Sequence, residues 1–240
     1  MHAILAVLAM TTMLATADAR AQQQAAAAED LPYAPLTAYS ILRDGVPIGS
    51  HVLRFERDGP RRVVTARVRV EVRVLGVTAY RLVHDSHEVW EGDRLQQLTT
   101  ATDNNGKRFA VHARRTAEGL VVARQQPADS GTAAAQFDGF AAAGTDRATL
   151  PASTLPTSLW NVRQVGQAAL LHTQHGRLVR PRIVAGPRET VRTAGGPVEA
   201  TRYTYSGDLR MTQWFDDRGR WVRSTFQAFD GSTIEYILQE

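Results

Sequence analysis

Apolar and polar positions alternate most cleanly in RRVVTARVRVEVRV, residues 61–74. Val64, Ala66, Val68, Val70, Val72 and Val74 share one parity, and Arg67, Arg69, Glu71 and Arg73 the other. A period of two marks a strand with one face toward a core. Runs rich in β-formers recur in RFAVHARR, EATRYTYS, RMTQWF and TIEYIL. Turn residues separate them: Gly45, Gly59, Gly76, Gly92, Gly106 and Gly119 in the first half, then Gly176, Gly186, Gly195, Gly207, Gly219 and Gly231. Asp44-Gly45, Asp58-Gly59 and Asn105-Gly106 are hairpin dipeptides. The pattern predicts an all-β fold, an antiparallel meander of roughly a dozen strands forming a barrel or strongly curved sheet.

Three stretches break the rhythm. The chain opens with an apolar run, Ala3 to Ala15, followed by the A-x-A patterns Ala17-Asp18-Ala19 and Ala19-Arg20-Ala21. The run is too short to span a bilayer and reads as a signal peptide over 1–21, cleaved before Gln22. Residues 22–36 read as a flexible leader. A third stretch, 126–155, is rich in Ala, Gly, Ser, Thr and Pro with little periodicity and reads as one long loop. Pro156 or Thr157 then starts a helical turn carrying Trp160. The remainder, 37–240, is expected to be a single all-β domain.

The segment YRLVHDSHEVWEGDRL poses a chemical question, since His84, His87 and Glu88 are metal-ligating residue types. A two-residue turn at Leu75-Gly76 would pair Val74 with Val77, then Val72 with Ala79, Val68 with Val83 and Arg67 with His84. On that strand His84 and His87 point to opposite faces, and four residues separate His84 from Glu88 by about 13 Å. A single ion needs its ligands within ~2 Å, so no metal site is expected here. The same objection applies to His172 and His175, which enter the turn at Gly176. What remains is a mixed face of Tyr80, Leu82, His84, Ser86, Glu88 and Trp90. Such a face either meets solvent or forms the inner wall of a cup, where aromatic and polar groups hold a ligand. The candidate binding residues are Tyr80, His84, Glu88, Trp90, Trp160, Asn161 and Trp214. A tryptophan in a meander is also a common packing residue, and Trp221 shares that ambiguity.

Composition narrows the classes. The chain has 240 residues and no cysteine, which removes disulfides, thiolate metal sites and a lipidated cysteine. The formal net charge is +4, and Lys107 is the only lysine. The arginines are spread along the chain without the clustered, aromatic-interleaved patch of a nucleic-acid surface. An outer-membrane barrel is disfavoured because strands such as RWVRSTFQAF place arginine or glutamine on either face, at ~2–4 kcal/mol for a cation at mid-bilayer.

Several motifs carry a family resemblance: YSILRDGVPIGSH, the Glu88-Val-Trp90 triplet, TDNNG, PTSLWN and DGSTIEY. Their pattern, Y-x-I-x-x-x-G-x-x-I-G, then E-x-W, then D-G-S-x-I-x-Y, resembles a family of exported bacterial proteins described as a domain of unknown function. The resemblance implies a secreted, all-β, single-domain protein and supplies no activity, cofactor or catalytic residue. The expectation is a periplasmic or secreted binding or carrier module for an apolar or amphipathic small molecule. No cofactor, metal, nucleic acid or membrane insertion is expected. The alternatives are an envelope enzyme of hydrolase type using His84 and Glu88, or a structural interaction protein. Against the enzyme, the chain has no G-x-S-x-G, no H-E-x-x-H and no phosphate-cradling glycine loop.

Overall fold

Strand follows strand through nearly all the chain that a computed structural model describes, residues 31–125 and 146–239. The expected signal peptide, most of the leader and residues 126–145 of the expected loop lie outside the described residues. The strands are β1 (Leu36–Arg43), β2 (Val46–Asp58), β3 (Arg61–Val74), β4 (Val77–Glu91), β5 (Arg94–Asn104), β6 (Lys107–Thr116), β7 (Gly119–Gln125) and β8 (Asp146–Leu150). Short β9 (Leu155–Pro156), β10 (Leu170–Leu171) and β11 (Leu178–Val179) follow. The series ends with β12 (Pro181–Thr193), β13 (Gly196–Gly207), β14 (Met211–Asp216), β15 (Trp221–Gln227) and β16 (Thr233–Leu238). No helix among the described residues is long and apolar enough to cross a membrane.

Thirteen strands form one antiparallel sheet, in the order β12-β13-β14-β15-β16-β1-β2-β3-β4-β5-β6-β7-β8. The all-β antiparallel meander expected from the sequence is what forms. Its one long-range pairing joins β16 to β1. Bulges interrupt the ladders β1–β2, β3–β4, β4–β5, β12–β13 and β14–β15. Each bulge bends its strand and increases the twist, which curls a sheet of this size on itself. The edges of the curled sheet are β8 and β12. Edge strand β12 carries Pro181, Pro187 and exposed Arg182 and Arg188, residues that discourage pairing with another chain.

The concave face is covered by the segment from β9 to β11, itself a small three-stranded sheet with a 3₁₀ turn at Val162–Gly166. Trp160, Leu170 and Leu171 of this strap are buried. It is tied across the main sheet by Thr100 Oγ donating to Thr173 O at 2.7 Å and Arg124 Nη1 to Gly176 O at 3.2 Å. Gly176, at φ +66°, is required there: an added Cβ would lie 2.9 Å from Arg124 Cβ and 3.2 Å from the Val111 methyls.

Four expectations are corrected. The β3–β4 hairpin pairs Val74 with Val77, but a bulge at Ala79 sets Val72 opposite Tyr80 instead of Ala79. One extra residue reverses the parity of everything beyond it. Val68 therefore stands opposite His84 and Val64 opposite Glu88, so the mixed face and the valine face are one concave, buried surface. The leader ends early: Tyr33 stacks on Phe55 at 4.8 Å, and its hydroxyl donates to Trp160 O at 2.6 Å. Loop gives way to strand at Asp146, because the open edge of β7 pairs with Asp146–Leu150. The helical turn after Pro156 starts only at Val162, leaving Trp160 just ahead of it.

Candidate functional site

Three neighbouring strands, β2, β3 and β4, line both cavities of the concave interior. Nearest the hairpin tips, Ile48 of β2, Val70, Val72 and Val74 of β3, and Tyr80 and Leu82 of β4 surround a cavity of about 850 Å³. Farther along the same strands, His51 and Leu53, Ala66 and Val68, and His84, Ser86 and Glu88 surround a second cavity of about 230 Å³. Phe226 and Tyr236 border both. The strap closes the smaller one with Ser158, Trp160, Gln164 and His172.

Glu88 is the central polar group of the smaller cavity and is only 1% exposed. Its Oε2 accepts from Trp90 Nε1 at 2.9 Å, and its Oε1 from the Ser158 hydroxyl, with Ser86 Oγ at 3.5 Å. Burial pushes the carboxyl up from 4.5 to about 7, against the opposing pull of those hydrogen bonds. Trp160 Nε1 lies near this carboxyl and helps pull its proton affinity down, short of good hydrogen-bond geometry.

The histidines are held neutral. Burial lowers His84 to about 4, and its Nδ1 is 2.8 Å from Thr102 Oγ1. Burial, with His84 nearby, lowers His51 to about 3, and neither of its ring nitrogens has a hydrogen-bond partner. His172 falls to about 3 by burial and by the closeness of His175 and His84. A turn stacks the His172 and His175 rings with centroids 4.2 Å apart and planes 7° apart, so the strand argument does not govern this pair. Ring-nitrogen lone pairs lie in the ring planes, and in parallel planes they run side by side without converging on an ion. His87 is exposed on the opposite face of β4 from His84.

The candidate residues divide into five placements. His84, Glu88 and Trp160 line the smaller cavity, and Tyr80 lines the larger. Trp90, one of the candidate binding residues, is 1% exposed and packs against Trp160 with centroids 5.6 Å apart. It orients Glu88 from beneath the wall. Asn161 turns its side chain back to accept from Arg163 N at 3.1 Å and caps the 3₁₀ turn. Trp214 lies outside both cavities, donating to Glu189 Oε1 at 2.5 Å, with Arg223 above its ring.

Sequence reasoning missed His51, Ser158, Gln164, His172 and Tyr236. His51 was legible in principle, since it shares parity with Leu53 and Phe55 in GSHVLRF, and a histidine on an apolar stripe signals a polar group turned inward. Ser158 and Gln164 reach the site only because the strap folds back over the sheet, which no local pattern announces. The Ser158 hydroxyl is engaged with Glu88, and His84 Nδ1 with Thr102.

Among known proteins, the sequence profile of a family described as a domain of unknown function (DUF6134) matches residues 39–239. No curated protein matches the chain. In fold it is similar to a crystal structure described as a β-barrel-like protein of domain of unknown function DUF1849 from Brucella abortus. The two share 12% identity at a TM-score of 0.56, over 85% of this chain and 94% of that one. At that identity the likeness is one of fold alone.

Proposed function

We propose that this chain, which belongs to the DUF6134 family, is a non-catalytic binding or carrier module for an amphipathic ligand, exported to the periplasm. The observation that carries the reading is an unfilled interior. A sheet of this kind normally packs its concave side chains to near-crystalline density, and voids larger than a water molecule are few. Here a cavity of about 850 Å³, within the size range of small-molecule sites, continues toward one of about 230 Å³. The larger is walled mainly by Val, Ile, Leu, Tyr and Phe, which suits a hydrocarbon. The smaller ends in hydrogen-bonding groups, which suits a polar end. Export rests on the apolar run Ala3 to Ala15 and its A-x-A sites, and fits a chain without cysteine.

The test begins with protein purified from its own envelope without denaturant. Native mass spectrometry should find a bound amphipath, and an environment-sensitive apolar dye should bind the delipidated protein and be displaced by long-chain amphipaths. An empty protein that neither binds the dye nor releases it to any amphipath would contradict the reading. N-terminal sequencing should find Gln22 first; a periplasmic fraction without the protein would refute export separately.

A further inference from the structure

Resting on that binding reading, we infer that the smaller cavity takes an uncharged hydroxyl-type head group of the ligand, received at His51, with the aliphatic tail in the larger cavity. The polar groups of the smaller cavity's wall are mostly occupied with one another. His84 is engaged with Thr102, and Glu88 with Ser158 and Trp90. The Gln164 amide donates to Ser158 O at 3.1 Å and Gln213 Oε1 at 3.3 Å, and His172 Nδ1 accepts from Gln174 N at 3.2 Å. His51 is the exception. It is 5% exposed, its ring forms part of the cavity wall, and its neighbours are the rings of Trp221, Tyr39 and Tyr236 at 5.3, 5.9 and 5.9 Å. Neither nitrogen is bonded, and Trp160 Nε1 on the same wall leans on the Glu88 carboxyl without a hydrogen bond of good geometry. Buried polar groups are rarely left so, and an unmade pair marks a place where a missing partner belongs.

The chemistry of that partner follows from what is unsatisfied. A neutral imidazole offers one donor and one acceptor, and the indole a donor. The matching group both accepts and donates, as a hydroxyl does. Charged heads fit worse. The one cation on this wall is the exposed Arg210, so a carboxylate or phosphate would be buried without a counter-charge. An ammonium would meet neutral imidazoles, and the one carboxyl present is already enclosed by donors. Position also fits: the polar wall lies beyond the apolar one from the hairpin tips, so the head goes in first and the tail follows.

The experiment compares dodecanol, dodecanoate, dodecylammonium and dodecyl phosphate as competitors of a dye bound to the full protein at neutral pH. The alcohol is expected to bind about tenfold more tightly than either anion or the ammonium, a difference of about 1.4 kcal/mol. His51→Leu should reduce the alcohol's advantage over the charged competitors to within about threefold. His51→Gln, which keeps a donor and an acceptor, should retain much of it. A charged competitor that binds best, or a leucine variant with undiminished preference, would overturn the head-group inference while leaving the binding reading intact. Should His51→Leu fail to fold, the ranking on the unaltered protein still decides. Failure of every competitor to displace the dye would instead undo the binding reading itself.

Discussion

At the scale of single residues, the interior is organised by what burial does to proton affinity. Glu88 is an acid whose folded value, about 7, stands above its ordinary 4.5. The folded state therefore holds a proton that the unfolded state has lost, and stability from this group is complete below 4.5 and fades as pH rises through 7. His51, His84 and His172 run the other way. Their folded values lie below 6.5, so their contribution is complete above 6.5 and is lost as pH falls toward 3 to 4. Removing the carboxyl isolates its share. Glu88→Gln should lose stability relative to the parent at pH 5 and recover by pH 8, a swing of roughly 2–3 kcal/mol superimposed on a constant cost for altered hydrogen bonds. Urea unfolding of both proteins at the two pH values measures it. A difference independent of pH would mean that Glu88 stays ionised in the fold.

At the scale of elements, the question is how a strand chooses which face to bury. The alternation of β3 identified that face: Val68 is 6% exposed and Arg69 projects outward to donate to both carboxylate oxygens of Asp85 at 2.9 Å. Val68→Asp should cost roughly 3 kcal/mol or more, because it strands a charge opposite His84 in the interior. Arg69→Asp gives up a half-exposed ion pair and should cost about 1 kcal/mol or less. Similar melting temperatures for the two variants would contradict the register. The strap offers a second test. Gly176→Ala pushes a methyl group against Arg124 and Val111 from a left-handed backbone, and denaturation should record a loss of about 1–3 kcal/mol. The long strands and hairpin turns were legible because period and turn chemistry are local. The bulge at Ala79 was not, since Thr78-Ala79-Tyr80 carries no glycine or other residue that demands one. That single residue decided whether His84 and Glu88 faced water or the interior. Half of the site was thus visible as residue types on a strand, while its placement depended on pairing and on a strap folded back from sixty or more positions downstream.

At the scale of the whole molecule, thirteen strands enclose a space with a direction. Along β4 the wall passes from Tyr80 and Leu82 to His84, Ser86 and Glu88, about 26 Å at ~3.3 Å per residue. On β2 and β4 the lining runs from apolar toward the hairpin tips to polar beyond, Ile48 to His51 and Leu82 to His84, while β3 stays apolar throughout. A uniformly apolar barrel would bind oils in any orientation, and a uniformly polar one would fill with water. A graded interior fixes the ligand's orientation and makes its affinity depend on how much hydrocarbon it carries. Each methylene moved from water into the larger cavity should contribute ~0.8 kcal/mol, or roughly a fourfold fall in Kd. A series of alcohols of increasing chain length should therefore bind progressively tighter, then level off once added carbons emerge between the tips at Leu75 and Phe229, which stand fully in solvent. Replacing Leu82 with Trp, within the larger cavity, should bring the plateau to a shorter chain while leaving the affinity of the shortest binders nearly unchanged. Competition against a bound dye reads both effects. Affinity that does not grow with chain length, or a plateau that Leu82→Trp fails to move, would mean that the hydrocarbon lies somewhere other than against the concave face of β3 and β4.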